Sequence, residues 1–262
     1  MPKVHLTPTP HRPNPLANPA QITHILFDCD NTLVLSEELA FEACAEVANR
    51  ILAKNNIETR YDGPRLLNEF VGMNFRGMMG ALQERFNITI TPEELEGYVK
   101  AEEDQVIATL KAKAQPCVGA SEVLDELYKE GKYGLAVVSS SALRRVVASV
   151  EKVDQKKYFP DGHIFSAATS LPKPTSKPDP AVYLHACKVI GKTPAECVAV
   201  EDSKSGTLSA VRAGIPTIGY VGSYEGAEKQ KEMTQLLLDT GAKVVMQDWT
   251  EFREAMAKIE SE

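Results

Sequence analysis

Asp28 and Asp30 stand one residue apart where the apolar run of "ILFDCDNTLVLSEE" (residues 25–38) stops. Alternate residues of a strand share a face, so the two carboxylates point one way and Cys29 the other, without a catalytic role. Three more apolar runs end in polar groups. "GLAVVSSS" delivers Ser139 and Ser140, and "CVAVEDSKSG" delivers Glu201 and Asp202. "TSKPDPAVY" sets Lys177 just ahead of a helix that Asp179 can cap, with Pro180 in its first turn. Ligands of an open α/β sheet bind beyond the carboxyl ends of its strands. Four carboxylates, a hydroxyl and an ammonium are therefore expected at one end of the sheet.

Carboxylates that converge within a few ångströms repel by roughly 1–4 kcal/mol per pair. A positive charge must hold them. A few hard oxygen ligands point to Mg²⁺ rather than zinc, and Mg²⁺ commonly binds substrate phosphate. A phosphate also accounts for Lys177 and Ser139, which can neutralise and hydrogen-bond its oxygens. Asp28 is then the nucleophile that forms an aspartyl phosphate. Asp30 protonates the leaving oxygen and later activates water.

These residues need a frame. Strand-like runs at "ITHILFD", "YGLAVVS", "HIFSA", "CVAVED", "PTIGYV" and "AKVVMQ" alternate, from the second onward, with stretches of helical period. That order predicts a parallel sheet with helices on both faces, a doubly wound α/β fold. Between about residues 38 and 112 the pattern is almost purely helical. Leu39, Ala43, Val47 and Ile51 recur at i+4, and "TPEE" at 91–94 supplies an N-cap Thr, a Pro at N1 and a Glu at N3. The expected organisation is a Pro-rich disordered tail (1–20), a core formed by 21–37 and 113–262, and a helical insert (38–112). A last helix at about 249–260 is expected to pack through Phe252, Met256 and Ile259.

Composition narrows the function. The 262 residues, 43% hydrophobic and 25% charged, suffice for one large domain or a core with an insert. A net charge of −7, without a Lys/Arg run, argues against nucleic acid as a partner. No apolar stretch has the length of a membrane span, and no signal-peptide core opens the chain. Five cysteines without CxxC spacing read as reduced, largely buried thiols of a cytoplasmic protein. The expected partner is a small-molecule phosphate ester, and a monomer is the default.

With these residues in place, the chain resembles the haloacid dehalogenase-like hydrolase superfamily. "DCDNT" is similar to its first motif, Ser139 to its second, Lys177 in "SKPDP" to its third and "EDSKSG" to its fourth. The resemblance runs from about residue 21 to the end. It implies a Rossmann-like core, a helical cap between the first two motifs, Mg²⁺ bound at Asp28, Asp30, Glu201 and Asp202, phosphate held by Ser139, Ser140 and Lys177, and phosphoryl transfer through Asp28. Asp30 distinguishes the chain from the dehalogenases. Ala40 stands where members resembling β-phosphoglucomutase carry a cap-hinge His, which disfavours the alternative of a phosphomutase. Lys54 is the early-cap candidate for a phosphonatase Schiff base, and it lies on a polar stretch. Asn31 replaces the more usual Gly after the second Asp and tolerates the same left-handed backbone. The text of residues 158–190 is similar to the phosphosugar and phosphosugar-acid phosphatases.

Each feature has a plainer reading. Glu201 and Asp202 alone would serve as acids at a helix entry, Ser139 to Ser141 as a cap and loop, and Lys177 as a solvated lysine. The ordered set of four motifs favours chemistry. His5, His11, His24, His163 and His185 have no catalytic case. In the cap, Arg76 is a candidate for the substrate's polar end by a bidentate contact, and Glu38 near the hinge is a second specificity candidate. Gly72 and Gly77 read as loop-like, flanked by Met73, Met78 and Met79. If those methionines line the cleft, a prenyl-type phosphate becomes an alternative substrate. Hinges are expected near 35–38 and 112–117.

Overall fold

The apolar runs become strands, and the periodic stretches helices, in the computed structural model, which describes residues 21–70 and 73–261. The expected tail, His5, His11 and Gly72 lie outside the described residues. The chain begins with β1 (His24–Phe27) and β2 (Val34–Leu35), then runs through α1 (Glu37–Lys54), α2 (Gly63–Glu69), α3 (Phe75–Phe86) and α4 (Pro92–Lys113). It continues with β3 (Gln115–Pro116), α5 (Ala120–Glu130), β4 (Gly134–Ser139), α6 (Leu143–Lys152), β5 (Ile164–Ser166) and α7 (Ala181–Ile190). The remainder is β6 (Cys197–Glu201), α8 (Lys204–Arg212), β7 (Thr217–Tyr220), α9 (Ala227–Thr240), β8 (Val244–Met246) and α10 (Phe252–Glu260).

Six strands form one parallel sheet in the order β5-β4-β1-β6-β7-β8. Ile25, Phe27, Leu135, Val137, Val198 and Val200 belong to one core, together with Trp249, Phe252, Met256 and Ile259. Leu26, Ala136, Val138, Cys197 and Ala199 belong to another, against Val182, Tyr183 and Ala186 of α7. Side chains alternate across a strand, so a sheet covered on both faces needs apolar residues at every position. This is the doubly wound α/β architecture read from the sequence. The expected C-terminal helix begins as a short 3₁₀ turn at Trp249–Glu251 and continues as α10, and Phe27 meets the rings of Trp249 and Phe252 at 6.0 and 6.3 Å.

Helices α1 to α4 lie between β2 and β3, which pair antiparallel with Val34 opposite Pro116 and Leu35 opposite Gln115. This small two-stranded ribbon, separate from the six-stranded sheet, brings the start and the end of the insert together at one place. The insert has its own core, in which Val47 and Ile51 of α1 pack with Leu66, Phe70, Met79 and Leu82. At the start of α4 the Thr91 hydroxyl accepts from the Glu94 amide and the Glu94 carboxylate accepts from the Thr91 amide, with Pro92 in the first turn. All five cysteines are free and buried. Among the described residues no helix is long and apolar enough to cross a membrane.

Candidate active site

β1 lies between β4 and β6, and the residue that follows it is fixed by a neighbour: the Asp28 amide donates to the Val200 carbonyl at 2.9 Å. By the strand's alternation Asp28 points to the side of Leu26, and Glu201 to the side of Cys197 and Ala199, which is the face covered by α7. There the Lys177 ammonium lies 2.5 Å from Asp28 Oδ1, 2.6 Å from Glu201 Oε1 and 2.8 Å from the Val138 carbonyl. Its three N–H donors are all used. The Ser140 hydroxyl accepts from the Lys177 backbone amide at 3.1 Å, and the Tyr183 hydroxyl donates to Glu201 Oε1. A Cβ at Gly206, in the first turn of α8, would lie 1.7 Å from Glu201 Oε2. Glycine is what leaves room for that carboxylate.

The chain then turns sharply. Asn31 has a φ of 57°, the left-handed conformation that asparagine tolerates. The Leu33 and Val34 amides both donate to the Cys29 carbonyl at 3.0 Å. Asp30 accepts three hydroxyl hydrogen bonds, from Ser36 at 2.5 Å, Ser141 at 2.8 Å and Ser139 at 3.2 Å. Ser36 precedes α1 but spends its hydroxyl on Asp30, so it does not cap the helix. Asn31 Oδ1 instead lies 3.4 Å from the amides of Ser36 and Glu37, and Asn31 Nδ2 donates to Glu37 at 2.9 Å.

Charge is unbalanced here. Asp28, Glu201 and Asp202 are buried and each offers an oxygen within 4.8 Å of the others, while Lys177 is the ammonium among them. Burial pushes Asp28 up to about 7, and the Glu201 and Asp30 charges add to this while Lys177 opposes it. Burial raises Glu201 as well, and burial together with Asp28 and Glu201 holds Asp202 well above the usual carboxylate range. Lys177 is pulled down by burial, yet Asp28 and Glu201 outweigh that and hold it above its ordinary value. Glu201 Oε2 is buried without a hydrogen-bond partner, and the Asp202 carboxylate has the Tyr224 hydroxyl at 3.5 Å. Ionising all three carboxyl groups against one ammonium would leave two negative charges for a cation to offset. An all-oxygen site with that deficit fits a hard dication such as Mg²⁺.

A cavity of about 300 Å³ opens onto this cluster. Asp28, Asp30, Asn31, Lys177 and Asp202 line it, with Glu37, Ala40 and Phe41 from α1, Ser140 and Ser141 after β4, Arg145 from α6, Ser203 and Ser205 near the start of α8, and Tyr224 after β7. Only some of the expected site residues meet at this cavity. Asp30 is not part of the cluster formed by the Asp28, Glu201 and Asp202 oxygens, because its carboxylate is turned onto three serine hydroxyls. Ser139 is fully buried and does not line the cavity, since its hydroxyl is taken by Asp30 and the Ser141 amide. Arg76 does not line it either, being held in an exposed two-point pair with Glu96 at 2.6 and 2.7 Å. Glu38 faces a separate depression of about 380 Å³ between α1 and α2. Met78 and Met79 are buried in the insert's core and Met73 is exposed, so none supplies an apolar wall and the prenyl-type substrate loses its basis.

Sequence reasoning missed Glu37, Ser141, Arg145 and Tyr224. The signal for Ser141 was the third serine of "SSS", and that for Glu37 the pair "EE" at the hinge.

Residues 22–214 match the family model described as haloacid dehalogenase-like hydrolase. The chain is 31% identical over 194 residues to a phosphorylated carbohydrates phosphatase of Thermotoga maritima, a match covering 74% of this chain and 82% of that protein. It is 26% identical over 196 residues to 6-phosphogluconate phosphatase of Escherichia coli, covering 75% and 81%. Among solved structures, a conserved haloacid dehalogenase-like protein of Agrobacterium tumefaciens superposes with a TM-score of 0.67 at 25% identity, covering 90% of this chain and 98% of that one.

Proposed function

This chain belongs to the haloacid dehalogenase-like hydrolases and is a phosphomonoester phosphatase, and from that premise we propose that it cleaves a small phosphorylated sugar, polyol or sugar acid with Mg²⁺, carrying the phosphoryl group on Asp28. One observation carries the reading: buried Asp28, Glu201 and Asp202, three clustered carboxyl groups with one ammonium, meet Lys177 beside Asp30 in a cavity sized for a small metabolite.

An Asp28 carboxylate oxygen attacks phosphorus as the ester P–O bond breaks, and the departing oxygen takes a proton from the Asp30 carboxyl group. A water then gives its proton to the Asp30 carboxylate and attacks phosphorus, the bond to Asp28 breaks, and orthophosphate leaves. The Ser36, Ser139 and Ser141 hydroxyls orient Asp30 for both transfers. Lys177 aims Asp28 and offsets negative charge as it builds on the phosphoryl oxygens. Mg²⁺, held by Asp28, Glu201 and Asp202, would supply charge neutralisation to those oxygens. The insert, 38–112, serves as a cap that walls the cavity with Ala40 and Phe41 of α1, next to Glu37 in the hinge, and excludes water on closing about 35–38 and 112–117. Ala40 stands on that wall where a mutase-like member would carry a hinge histidine, which favours hydrolysis over a mutase.

The test is phosphate release from phosphorylated sugars, polyols and sugar acids, with Mg²⁺ or with chelator. Asp28→Asn should lower turnover by at least about 10³-fold, and chelation should abolish it. Undiminished release in either condition overturns the mechanism.

A further inference from the structure

Among the described residues, two cations line the cavity, Lys177 and Arg145. Lys177 is spent on Asp28, Glu201 and the Val138 carbonyl. Arg145 is not. Its Nη1 reaches Glu102 Oε1 only at 3.5 Å, and its Nε is buried without a hydrogen-bond partner. Buried donors left bare are uncommon and call for an explanation. The neighbouring Arg144 is satisfied elsewhere, by Glu103 at 3.6 Å and Asp104 at 3.2 Å. Glu102 belongs to α4 of the insert, is itself buried, and also accepts from the Cys44 thiol at 3.2 Å. A guanidinium under-used at the wall of a cavity otherwise rich in carboxylates is a receptor for an anion, and its planar fork suits a carboxylate or phosphate.

Resting on the phosphatase reading, we infer that Arg145 is a specificity residue that binds a second anionic group of the substrate, a carboxylate or second phosphate remote from the one cleaved. The incoming anion takes the place of Glu102, so recognition falls to the core helix α6 rather than to Arg76 of the insert.

Three esters with the same carbon chain test this: glucitol 6-phosphate, 6-phosphogluconate and glucitol 1,6-bisphosphate. The native protein should prefer one of the two with a second anion over glucitol 6-phosphate by about tenfold or more in kcat/KM. Which of them wins identifies the carboxylate or the phosphate. Arg145→Gln should reduce that preference by about tenfold. Glu102→Gln, which removes the competing carboxylate, should lower KM for the preferred ester. A native preference near unity overturns the inference. So does an Arg145→Gln defect equal on all three esters, the result expected if the Arg145 and Glu102 pair merely ties α6 to α4. If no ester releases phosphate with Mg²⁺, the hydrolase reading falls. Calorimetric binding of the same three esters to native and Arg145→Gln protein then decides the inference by the same ratio.

Discussion

Asp28 is a carboxyl group with three competing neighbours: Lys177 favours its charge, while Glu201 and Asp30 oppose it. Burial is the largest influence and carries the balance upward to about 7 in the metal-free protein, with Glu201 and Asp202 shifted the same way. A carboxyl whose folded value is raised contributes stability below its unfolded value, near 4, and that contribution is lost as pH rises through the folded value. The metal-free protein should therefore lose stability between pH 5 and pH 8, and saturating Mg²⁺ should flatten the loss. Urea denaturation in chelator, for native protein and Asp28→Asn, checks this, because the variant should lose part of the slope. A native stability that climbs over that range would refute it. The strand-end positions of Asp28, Glu201 and Asp202 were legible in the sequence, because a residue that closes a buried strand has its place fixed by the sheet, and Lys177 was legible from its place just ahead of α7. Glu37 and Arg145 were not. One step along a helix turns a side chain by about 100°, so whether Glu37 or Glu38 meets the cavity depends on how α1 is seated.

At the scale of elements, α8 shows how a helix can be shaped by one side chain of the strand before it. β6 ends at Glu201, Ser203 caps α8 by accepting from the Gly206 amide at 3.1 Å, and the Glu201 carboxylate occupies the space where a Gly206 side chain would stand. Glu201 is pinned by Lys177 and Tyr183 and is fully buried, so it has no room to yield. Gly206→Ala should cost about 1–3 kcal/mol as an overpacked core substitution, although alanine is the better helix former. It should also lower activity by displacing Lys177 from Asp28. Chemical denaturation and phosphate release measured on the same variant check both effects. A variant as stable and as active as native protein would show that Glu201 moves freely. The glycine in "EDSKSG" was visible in the sequence, but its reason was not, since the clash involves where the strand and helix cross. The capping box at Thr91 and Glu94 was readable because all its parts lie within one turn.

At the scale of the molecule, the apolar runs were enough to foresee a parallel sheet covered on both faces. They did not reveal that β1 would lie between β4 and β6, because strand order depends on contacts far apart in sequence. The insert and the sheet have separate hydrophobic clusters. They are joined by the two-residue pairing of β2 with β3, by Ala43, Val106 and Leu110 at the base of α1 and α4, and by the ion pairs of Arg144 and Arg145 with α4. Exposed pairs of the Arg144 kind contribute only about 0–1 kcal/mol each. If that joint and the packing of α4 on α6 yield before the core does, the insert opens locally at a smaller free energy than global unfolding. Backbone amides of α2 and α3 should then exchange with deuterium faster than those of β1, β4 and β6. Mg²⁺ with orthovanadate, a phosphoryl mimic seated between Asp28 and α1, should slow exchange in α1 and in the hinge at 112–117 by drawing the insert onto the cavity. Uniform exchange across both parts, with no change on adding the mimic, would mean that insert and sheet form one cooperative unit and that substrate enters without cap opening.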